Sequence, residues 1–300
     1  MIFILSKEAA GQEKGTGPAM KPVIDRATVP NSTIDLRDRI GVVHDTLTAL
    51  PSLAPGPVVN SAFAELVRIC EYRSGEDAGQ VLDDPRVAAL IPRLRQLCAA
   101  GEFQLERAWA RQIVDAVDPD TRLAAFPYWD NYQELTTLER HMLAGVGLEL
   151  GRVRRICFLG GGPLPLSALL MSRDLAVPVD VVDVSEEAVA LGATVARRLS
   201  MPTQAHFHQA DAEDFAAVAD SDVVVLAALV GLDHSAKRRV LQSLSHRMRP
   251  GSMLVARSAH GLRTLLYPPL ELDGLTAWQP LAVLHPFTAV VNSVLVLMRR

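Results

Sequence analysis

Residues 156–166 read ICFLGGGPLPL. A short apolar run, three glycines and a second apolar run predict a strand, a tight turn and a helix, the opening of a nucleotide-binding βαβ unit. Glycines let the backbone turn sharply and approach a ligand, and the helix start directs free N–H groups at it. A dinucleotide fingerprint has a third glycine where the helix packs on the strand, but this chain has Leu164-Pro165-Leu166 there. Pro163 and Pro165 therefore predict a stiff turn shaped for one ligand.

The second half of the chain alternates short apolar segments with helix-like segments. Ser185, followed by Glu186 and Glu187, predicts a capped helix start. The alternation predicts an α/β fold with a doubly wound sheet over residues 151–300. The predicted strands are 156–159, 179–184, 205–209, 222–228 and 252–257, and the apolar runs 281–285 and 290–298 predict an antiparallel edge pair.

The first half shows helical periodicity and no clear strand pattern. Residues 1–33 are polar and interrupted by Pro and Gly, so we predict a disordered extension there and an all-helical domain over residues 34–150. In the first helix the apolar positions recur at helical spacing at Leu36, Ile40, Val43 and Leu47. After a proline-rich break we predict a helix capped by Asn60 and further helices at 84–90, 91–117 and 132–144.

Composition limits the function. The 300 residues are 49% hydrophobic and 21% charged, with a net charge of −4, which predicts a folded protein without the basic face that nucleic acid requires. The longest uncharged apolar stretch, 223–232, is too short to span a bilayer, so we expect no membrane partner. Cys70, Cys98 and Cys157 lie in apolar surroundings without a CxxC pair or a His/Cys cluster, which predicts buried thiols, a cytoplasmic location and no metal site. A homodimer is left open.

Three features fall at the carboxyl ends of neighbouring strands, where such a sheet binds its ligand. The glycine turn ends the first strand. Asp183 ends the second, 23 residues past Gly160, where a carboxylate can accept both hydroxyls of a ribose, and Asp211 follows the third and can reach an adenine amino group. No Lys or Arg is placed to meet a pyrophosphate, so S-adenosylmethionine fits better than NAD. Taken singly, each feature also arises through helix capping or loop solvation.

Several separated motifs occur in an order that is similar to one protein family. They include FLGGGPLPL at 158–166, LPSLAP at 50–55, LC with Glu102 and LE within 97–106, FPYWDNY at 126–132, AALVGLD at 227–233, RSAHGLR at 257–263, YP at 267–268, HP at 285–286 and VNSV at 291–294. On these motifs the chain, from about residue 50, resembles the nicotianamine synthase family. That family joins a helical N-terminal domain to a Rossmann-like domain of the type found in S-adenosylmethionine-dependent methyltransferases.

The resemblance implies unusual chemistry. The γ-carbon of the aminobutyrate (3-amino-3-carboxypropyl) arm of S-adenosylmethionine is presented to an amine or amino-acid acceptor, and methylthioadenosine is released. The product would serve metallophore or secondary-metabolite biosynthesis. The amine must be neutral to attack, so a base is needed, and by motif Glu106 and Tyr132 are the implied catalytic residues. The implied residues for S-adenosylmethionine are Gly160, Gly161, Gly162, Pro163, Asp183, Asp211 and Ala228, and those for the substrate are Asn131, Arg257, His260 and Arg263.

Other interpretations of these side chains are open from the sequence. Without the family, Glu106 is expected to be a solvated helix residue, and Arg257, His260 and Arg263 are equally expected on a solvated surface. The aromatic side chains between 126 and 129 either fill the core or hold a sulfonium by cation–π attraction.

The acceptor is also open, because Ala108-Trp109 stands where plant members tend to have a His and an aromatic residue. Bacterial relatives use histidine or another amino acid as acceptor. In a further set of relatives the substrate closes on itself to azetidine-2-carboxylate, which a small apolar acceptor region would favour. An ordinary methyltransferase and a non-catalytic S-adenosylmethionine-binding module are the alternatives from other classes.

Overall fold

The computed structural model describes residues 33–71, 75–288 and 290–300. The disordered extension predicted for residues 1–33 lies outside these ranges, apart from Thr33. The described part of the first half is helical, as predicted. Its helices are α1 (Thr33–Ala49), α2 (Pro57–Cys70), α3 (Gly75–Leu82), α4 (Pro85–Asp115), α5 (Pro119–Ala124) and α6 (Trp129–Gly145).

Helix α1 presents its periodic apolar face to α2 and α4. The four predicted positions, Leu36 to Leu47, are all buried. The prediction that Asn60 caps the second helix is wrong, because α2 begins three residues earlier at Pro57. Proline suits the first helical position since its missing N–H would have no partner there. The Asn60 side chain instead accepts a hydrogen bond of 3.3 Å from the backbone N–H of Gly56.

Helix α4 is continuous, and the predicted break at residues 90–91 is wrong. Asp84 caps it by accepting a 2.9 Å hydrogen bond from the N–H of Arg86. Pro92 lies inside the helix, where it removes one backbone hydrogen bond. The helix persists because its apolar face is buried before and after the proline, at Val87 and Leu94. Most helical stability comes from such packing rather than from local propensity.

The second half forms a seven-stranded sheet of order β3-β2-β1-β4-β5-β7-β6. Strands β1 to β5 are parallel, and β7 runs antiparallel to both β5 and β6, which confirms the α/β fold and the late antiparallel pair. The strands are β1 (Ile156–Leu159), β2 (Pro178–Asp183), β3 (Gln204–Gln209), β4 (Val223–Leu226), β5 (Met253–Ser258), β6 (Trp278–Leu284) and β7 (Ser293–Arg299), with helices α7 (Leu166–Leu175), α8 (Glu186–Arg198) and α9 (His234–Arg247).

The strand order reverses at β1, which lies between β2 and β4. In register, Leu159 pairs with Val182 on one side and with Leu226 on the other. The three strands therefore end level with one another, and the loops that follow them meet at one edge of the sheet. This is the switch point at which open α/β sheets bind ligands.

One apolar cluster continues from the helical half into Leu164, Leu169 and Tyr267 of the second half. Two further clusters cover the faces of the sheet. The domain boundary at 150/151 stays a prediction, since the core crosses it. Cys70, Cys98 and Cys157 are buried thiols, as predicted. Within the described ranges, no helix combines the length and apolarity needed to cross a bilayer.

Candidate active site

A cavity of about 480 Å³ lies between helix α4 and the switch point of the sheet. This volume falls within the range of ~300–1,000 Å³ that is typical of small-molecule sites. The sheet side of its wall consists of the glycine turn and the loops after β2, β3 and β4. The helical side of the wall includes Glu102 and Glu106 of α4 and Tyr132 of α6.

The glycine turn is fixed by its own backbone. The N–H groups of Gly160 and Gly161 both donate to the carbonyl of Val182, at 2.8 and 3.1 Å. Gly160 has φ +85° and Gly162 has φ +67°, a region that residues other than glycine rarely adopt. A Cβ on Gly160 would also lie 2.5 Å from Cγ2 of Val230, so the turn and the loop after β4 are in direct contact.

Asp183 closes the turn and faces the cavity. Its Oδ2 accepts a 2.8 Å hydrogen bond from the N–H of Gly162, and its Oδ1 accepts one of 2.9 Å from the N–H of Ser185. After the neighbouring strand β3, Oδ1 of Asp211 accepts a 2.7 Å hydrogen bond from the N–H of Glu213. Both carboxylates are therefore held in place by backbone donors and line the wall, as does Ala228.

Glu106 and Tyr132 form a buried pair. The Tyr132 hydroxyl donates a 2.7 Å hydrogen bond to Oε1 of Glu106. Burial raises the pKa of Glu106 to about 7, and Asp183 adds to the rise, whereas the hydrogen bonds from Tyr132 and from the backbone of Leu164 oppose it. Burial and the neighbouring Glu106 raise the pKa of Tyr132 well above its ordinary value, so the phenol stays protonated. A carboxyl with a pKa near neutrality is suited to accept a proton from an amine.

Arg257 also lines the cavity, but its guanidinium already has a carboxylate partner. Its Nε donates to Oε1 of Glu139 at 2.7 Å, and Nη2 donates to Oε2 at 3.0 Å. Glu139 is 0% exposed and Arg257 is 7% exposed, so the alternative of a solvated Arg257 is wrong. The two-pronged edge that would suit a substrate carboxylate is occupied by Glu139.

Comparison with known proteins agrees with this architecture. A family model described as "Nicotianamine synthase protein" matches residues 30–300. The chain belongs to the nicotianamine synthase family. A nicotianamine synthase of Solanum lycopersicum is 33% identical over 272 residues, covering 89% of this chain and 84% of that protein. Nicotianamine synthase 3 of Oryza sativa subsp. indica is 34% identical over 295 residues, covering 96% and 83%.

A solved structure shows the same fold. The crystal structure of a mutant of MtNAS aligns with a TM-score of 0.76 at 21% sequence identity, over 89% of this chain and 97% of that one. Family membership makes this chain an S-adenosylmethionine-dependent aminobutyrate transferase of the nicotianamine synthase type. Among the described residues, no three His, Cys, Asp or Glu side chains gather as a metal site would need.

Three of the substrate residues that the family motifs suggested are not among the residues that line the cavity. Arg263 donates to the backbone carbonyls of Pro286 and Val290, at 2.8 and 2.9 Å, and so holds the loop before β7. His260 is exposed and stacks on His285, with ring centres 4.3 Å apart. Asn131 is buried on α6 beside Tyr132. Their roles toward a substrate stay predictions.

The aromatic residues that follow α5 pack against one another. The Phe126 ring lies 5.2 Å from Trp109 and 5.5 Å from Tyr128, measured between ring centres. The residues that line the described cavity include none of these three, which favours the core interpretation over a sulfonium site. Trp109 is likewise outside the residues that line the cavity, so the choice between an amine acceptor and ring closure stays a prediction.

Sequence reasoning gave no role to four polar residues at or behind the wall, although Glu102 and Asn292 lie within the family motifs. Lys237 is 2% exposed and donates from Nζ to the carbonyl of Ala228 at 2.7 Å, which supports the loop after β4. Burial, with a smaller contribution from Arg95, lowers the pKa of Lys237 to about 7. The sequence does carry a signal for this buried lysine, because Lys237 lies at helical spacing from the apolar residues of α9. The other three, Ser167, Asn292 and Glu102, line the cavity itself.

Two of these side chains have a polar atom that is buried without a hydrogen-bond partner. These atoms are Oγ of Ser167 and Nδ2 of Asn292, neither of which has a hydrogen-bond partner among the residues that the structure describes. Buried polar groups in native proteins are almost always paired, and an unpaired one requires an explanation. Both residues line the cavity, but the two unpaired atoms are themselves buried beneath its surface.

Proposed function

We propose that this enzyme transfers the aminobutyrate group of S-adenosylmethionine to the nitrogen of a small-molecule amine and releases methylthioadenosine, with Glu106 as the base. Solved structures of MtNAS contain S-adenosylmethionine in one case and MTA with tNA in another. The observation that carries the proposal is the buried Glu106–Tyr132 pair, which faces the glycine turn across a cavity of suitable size.

In the proposed step Glu106 accepts a proton from the attacking amine. The nitrogen forms a bond to the γ-carbon of the arm as the bond between that carbon and sulfur breaks. The sulfonium becomes a neutral thioether, and the proton of the amine ends on Oε of Glu106. Tyr132 donates its hydrogen bond to Glu106 throughout and so fixes the direction of the carboxylate.

The remaining assignments of the proposal use residues that line the cavity, which supports them. Gly160, Gly161, Gly162 and Pro163 approach the sulfonium end of the ligand. Asp183 accepts the ribose hydroxyls, Asp211 meets the adenine amino group and Ala228 contacts the base. The proposal places the reaction in the cytoplasm, where the three buried thiols stay reduced.

Product identification tests the proposal. The purified enzyme is incubated with S-adenosylmethionine alone and with added L-histidine or L-glutamate, and products are identified by mass spectrometry. Methylthioadenosine together with an aminobutyrate adduct of the amine is the expected result. S-adenosylhomocysteine would instead indicate methyl transfer, and azetidine-2-carboxylate formed without an added amine would indicate ring closure.

A further inference from the structure

Helix α9 lies beside the cavity along one of its faces. Ala236 and Val240 of this helix line the cavity wall. Ser243 and Arg247 follow Val240 at spacings of three and four residues, so all four side chains lie on one face of the helix. The loops after β3 and β4 form the neighbouring part of the wall, and both loops accept hydrogen bonds from side chains of α9.

The loop after β4 is bonded to Lys237. The Nζ of this buried lysine donates a 2.7 Å hydrogen bond to the carbonyl of Ala228. The charged group that contributes to its lowered pKa is Arg95, a second cation, and no carboxylate of the described chain contributes. Gly231 has φ +75°, and a Cβ there would lie 2.7 Å from the backbone N of Lys237, so the loop packs directly on the first turn of α9. Because a buried cation without a carboxylate partner destabilises a fold, the contribution of Lys237 is its bond to the loop rather than an ion pair.

The loop after β3 is bonded to the same helix further along. Oγ of Ser243 donates a 2.5 Å hydrogen bond to the carbonyl of Glu213. Arg247 donates from Nη2 to the carbonyl of Ala212 at 2.8 Å, and from Nη1 to the carbonyl of Phe215. Three carbonyls of one short loop are therefore bonded to α9. Backbone carbonyls need such partners, so the loss of these donors would let the loop take another course.

We propose that Lys237 and Arg247 are positioning residues for the adenosine part of the substrate. Neither side chain is among the described residues that line the cavity, so each acts through the loop to which it is bonded. Lys237 fixes the loop that carries Ala228, and Arg247 fixes the loop that begins with Asp211. The inference rests on the proposed function, which assigns Ala228 to the base and Asp211 to the adenine amino group.

Both residues belong to one helix, so α9 sets the separation of the two loops that enclose the adenine. The helix between Lys237 and Arg247 is about 15 Å long and has no proline or glycine at which it could bend. S-adenosylmethionine and methylthioadenosine carry the same adenosine. Loss of either contact should therefore weaken the binding of both ligands by the same factor, whereas an effect on the reacting arm would weaken the binding of S-adenosylmethionine alone.

Calorimetric binding of these two ligands tests the proposal. Lys237→Met and Arg247→Met remove the hydrogen bonds to the loops and leave an unbranched apolar side chain in place of each cation. Arg247→Lys retains one donor at the same position. If a Met variant fails to fold, the milder changes Lys237→Gln and Ser243→Ala replace it, since each weakens the bonds to one loop.

Each Met variant has a matched control on or beside α9. Arg238→Met removes a cation that donates to the backbone carbonyl of Asp273, and Arg249→Met removes one that donates to the backbone carbonyl of Asp220. Neither acceptor is among the described residues that line the cavity. The controls therefore report the loss of a bond between an arginine and a loop away from the adenosine.

Loss of either contact is expected to raise the Kd of both ligands by about tenfold, as the loss of one hydrogen bond would. Arg247→Lys should recover part of that loss, and the controls should bind as the wild type does. The proposal is overturned if the variants bind both ligands as tightly as the wild type, if only S-adenosylmethionine binds more weakly, or if the controls lose as much affinity.

A second ligand pair tests what Arg247 positions. Methylthioinosine has a carbonyl where methylthioadenosine has its amino group, so the wild type should prefer methylthioadenosine if Asp211 accepts from that group. Arg247→Met should reduce this preference, because the loop that begins with Asp211 is released, whereas a general loss of structure would weaken both ligands alike. An unchanged preference in Arg247→Met would overturn its role in positioning Asp211.

The outcomes for the inference and for the proposed function are distinguishable, because the binding measurements need no turnover. A wild type that binds methylthioadenosine and methylthioinosine equally would contradict the assignment of Asp211 in the proposed function. The affinity of Lys237→Met and Arg247→Met for methylthioadenosine would still decide whether α9 positions the adenosine. Formation of a product other than the one proposed would likewise leave the binding result readable.

Discussion

The carboxylate of Glu106 occupies the space that any side chain on residue 162 would need. A Cβ built on Gly162 would overlap Oε2 of Glu106, and Gly162 itself has φ +67°. Glu106 of the helical half is thus in contact with the glycine turn that follows β1 of the sheet. The glycine allows that contact through both its backbone conformation and its lack of a Cβ.

Gly162→Ala is expected to lower kcat by about 100-fold, since small displacements of a catalytic group have effects of this size. The methyl group would push the Glu106 carboxylate away from its place beside the turn. Alanine held in this left-handed backbone conformation should also lower the free energy of unfolding by about 1–2 kcal/mol. Steady-state kinetics and urea unfolding measure the two effects.

Gly147→Ala is the control for backbone strain alone. Gly147 has φ +93° and no atom within 4 Å of its hypothetical Cβ. It should show the same loss of stability with an unchanged kcat. Equal kcat in the two variants would mean that the contact between Gly162 and Glu106 has no part in turnover.

The pH dependence of kcat/KM is expected to follow the ionisation of Glu106. Its pKa is raised to about 7, so the base is protonated and inactive below that pH and turnover rises through it. Tyr132→Phe removes a hydrogen bond that favours the ionised form, so the rise should move to higher pH. Profiles of both proteins are recorded with the same amine, because its own ionisation then cancels in the comparison.

Tyr267→Phe is the control for this shift. It removes a buried hydroxyl that is bonded to Glu102 rather than to Glu106. The rise in its profile should stay near that of the wild type. If Tyr132→Phe leaves the rise where it is, Glu106 is not the group that titrates.

Much of the sheet could be predicted because its signals are local. The first strand, 156–159, has the bounds that the apolar run predicts, and Ser185 caps α8 as expected by accepting a 3.2 Å hydrogen bond from the N–H of Ala188. Pro92 shows the opposite case. A proline argues for a helix end from local geometry, but packing along both halves of α4 outweighs it.

The polar partners of the cavity could not be predicted from spacing. Arg257 and Glu139 are 118 residues apart in the chain, and Tyr267 and Glu102 are 165 apart. Such pairs form only where the helical half folds over the sheet, and no periodic pattern marks them. The four-residue spacing of Glu102 and Glu106 is visible in the sequence, but the sequence does not show that both residues line the same cavity.

Glu106→Gln is expected to abolish turnover and yet stabilise the fold at high pH. Raising the pKa of a carboxyl from 4.5 to about 7 means that its ionised form costs the folded protein about 3 kcal/mol. Between those pH values the folded protein binds more protons than the unfolded chain, so wild-type stability falls as pH rises. Gln carries no such charge. The melting temperature of Glu106→Gln should therefore exceed that of the wild type at pH 8 and approach it at pH 5, with methylthioadenosine binding retained.

Arg257 and Glu139 form a buried ion pair, with 2.7 Å between Nε and Oε1. Arg257→Ala would leave Glu139 charged and unpaired at 0% exposure, so a loss of about 3–5 kcal/mol in unfolding free energy is expected from urea titration. The double variant Arg257→Met with Glu139→Leu removes both charges and should regain most of that loss. Arg152→Ala breaks an ion pair whose side chains are 80% and 65% exposed, and should change stability by about 0.5 kcal/mol or less.

The double variant also separates the structural role of Arg257 from a role in binding. If Arg257 serves only to neutralise Glu139, the double variant should be stable and should keep the KM for S-adenosylmethionine and for the amine. A stable double variant with a strongly raised KM would mean that the guanidinium contacts a substrate carboxylate in addition to Glu139. Because the edge facing Glu139 is already filled by two hydrogen bonds, we expect the first result.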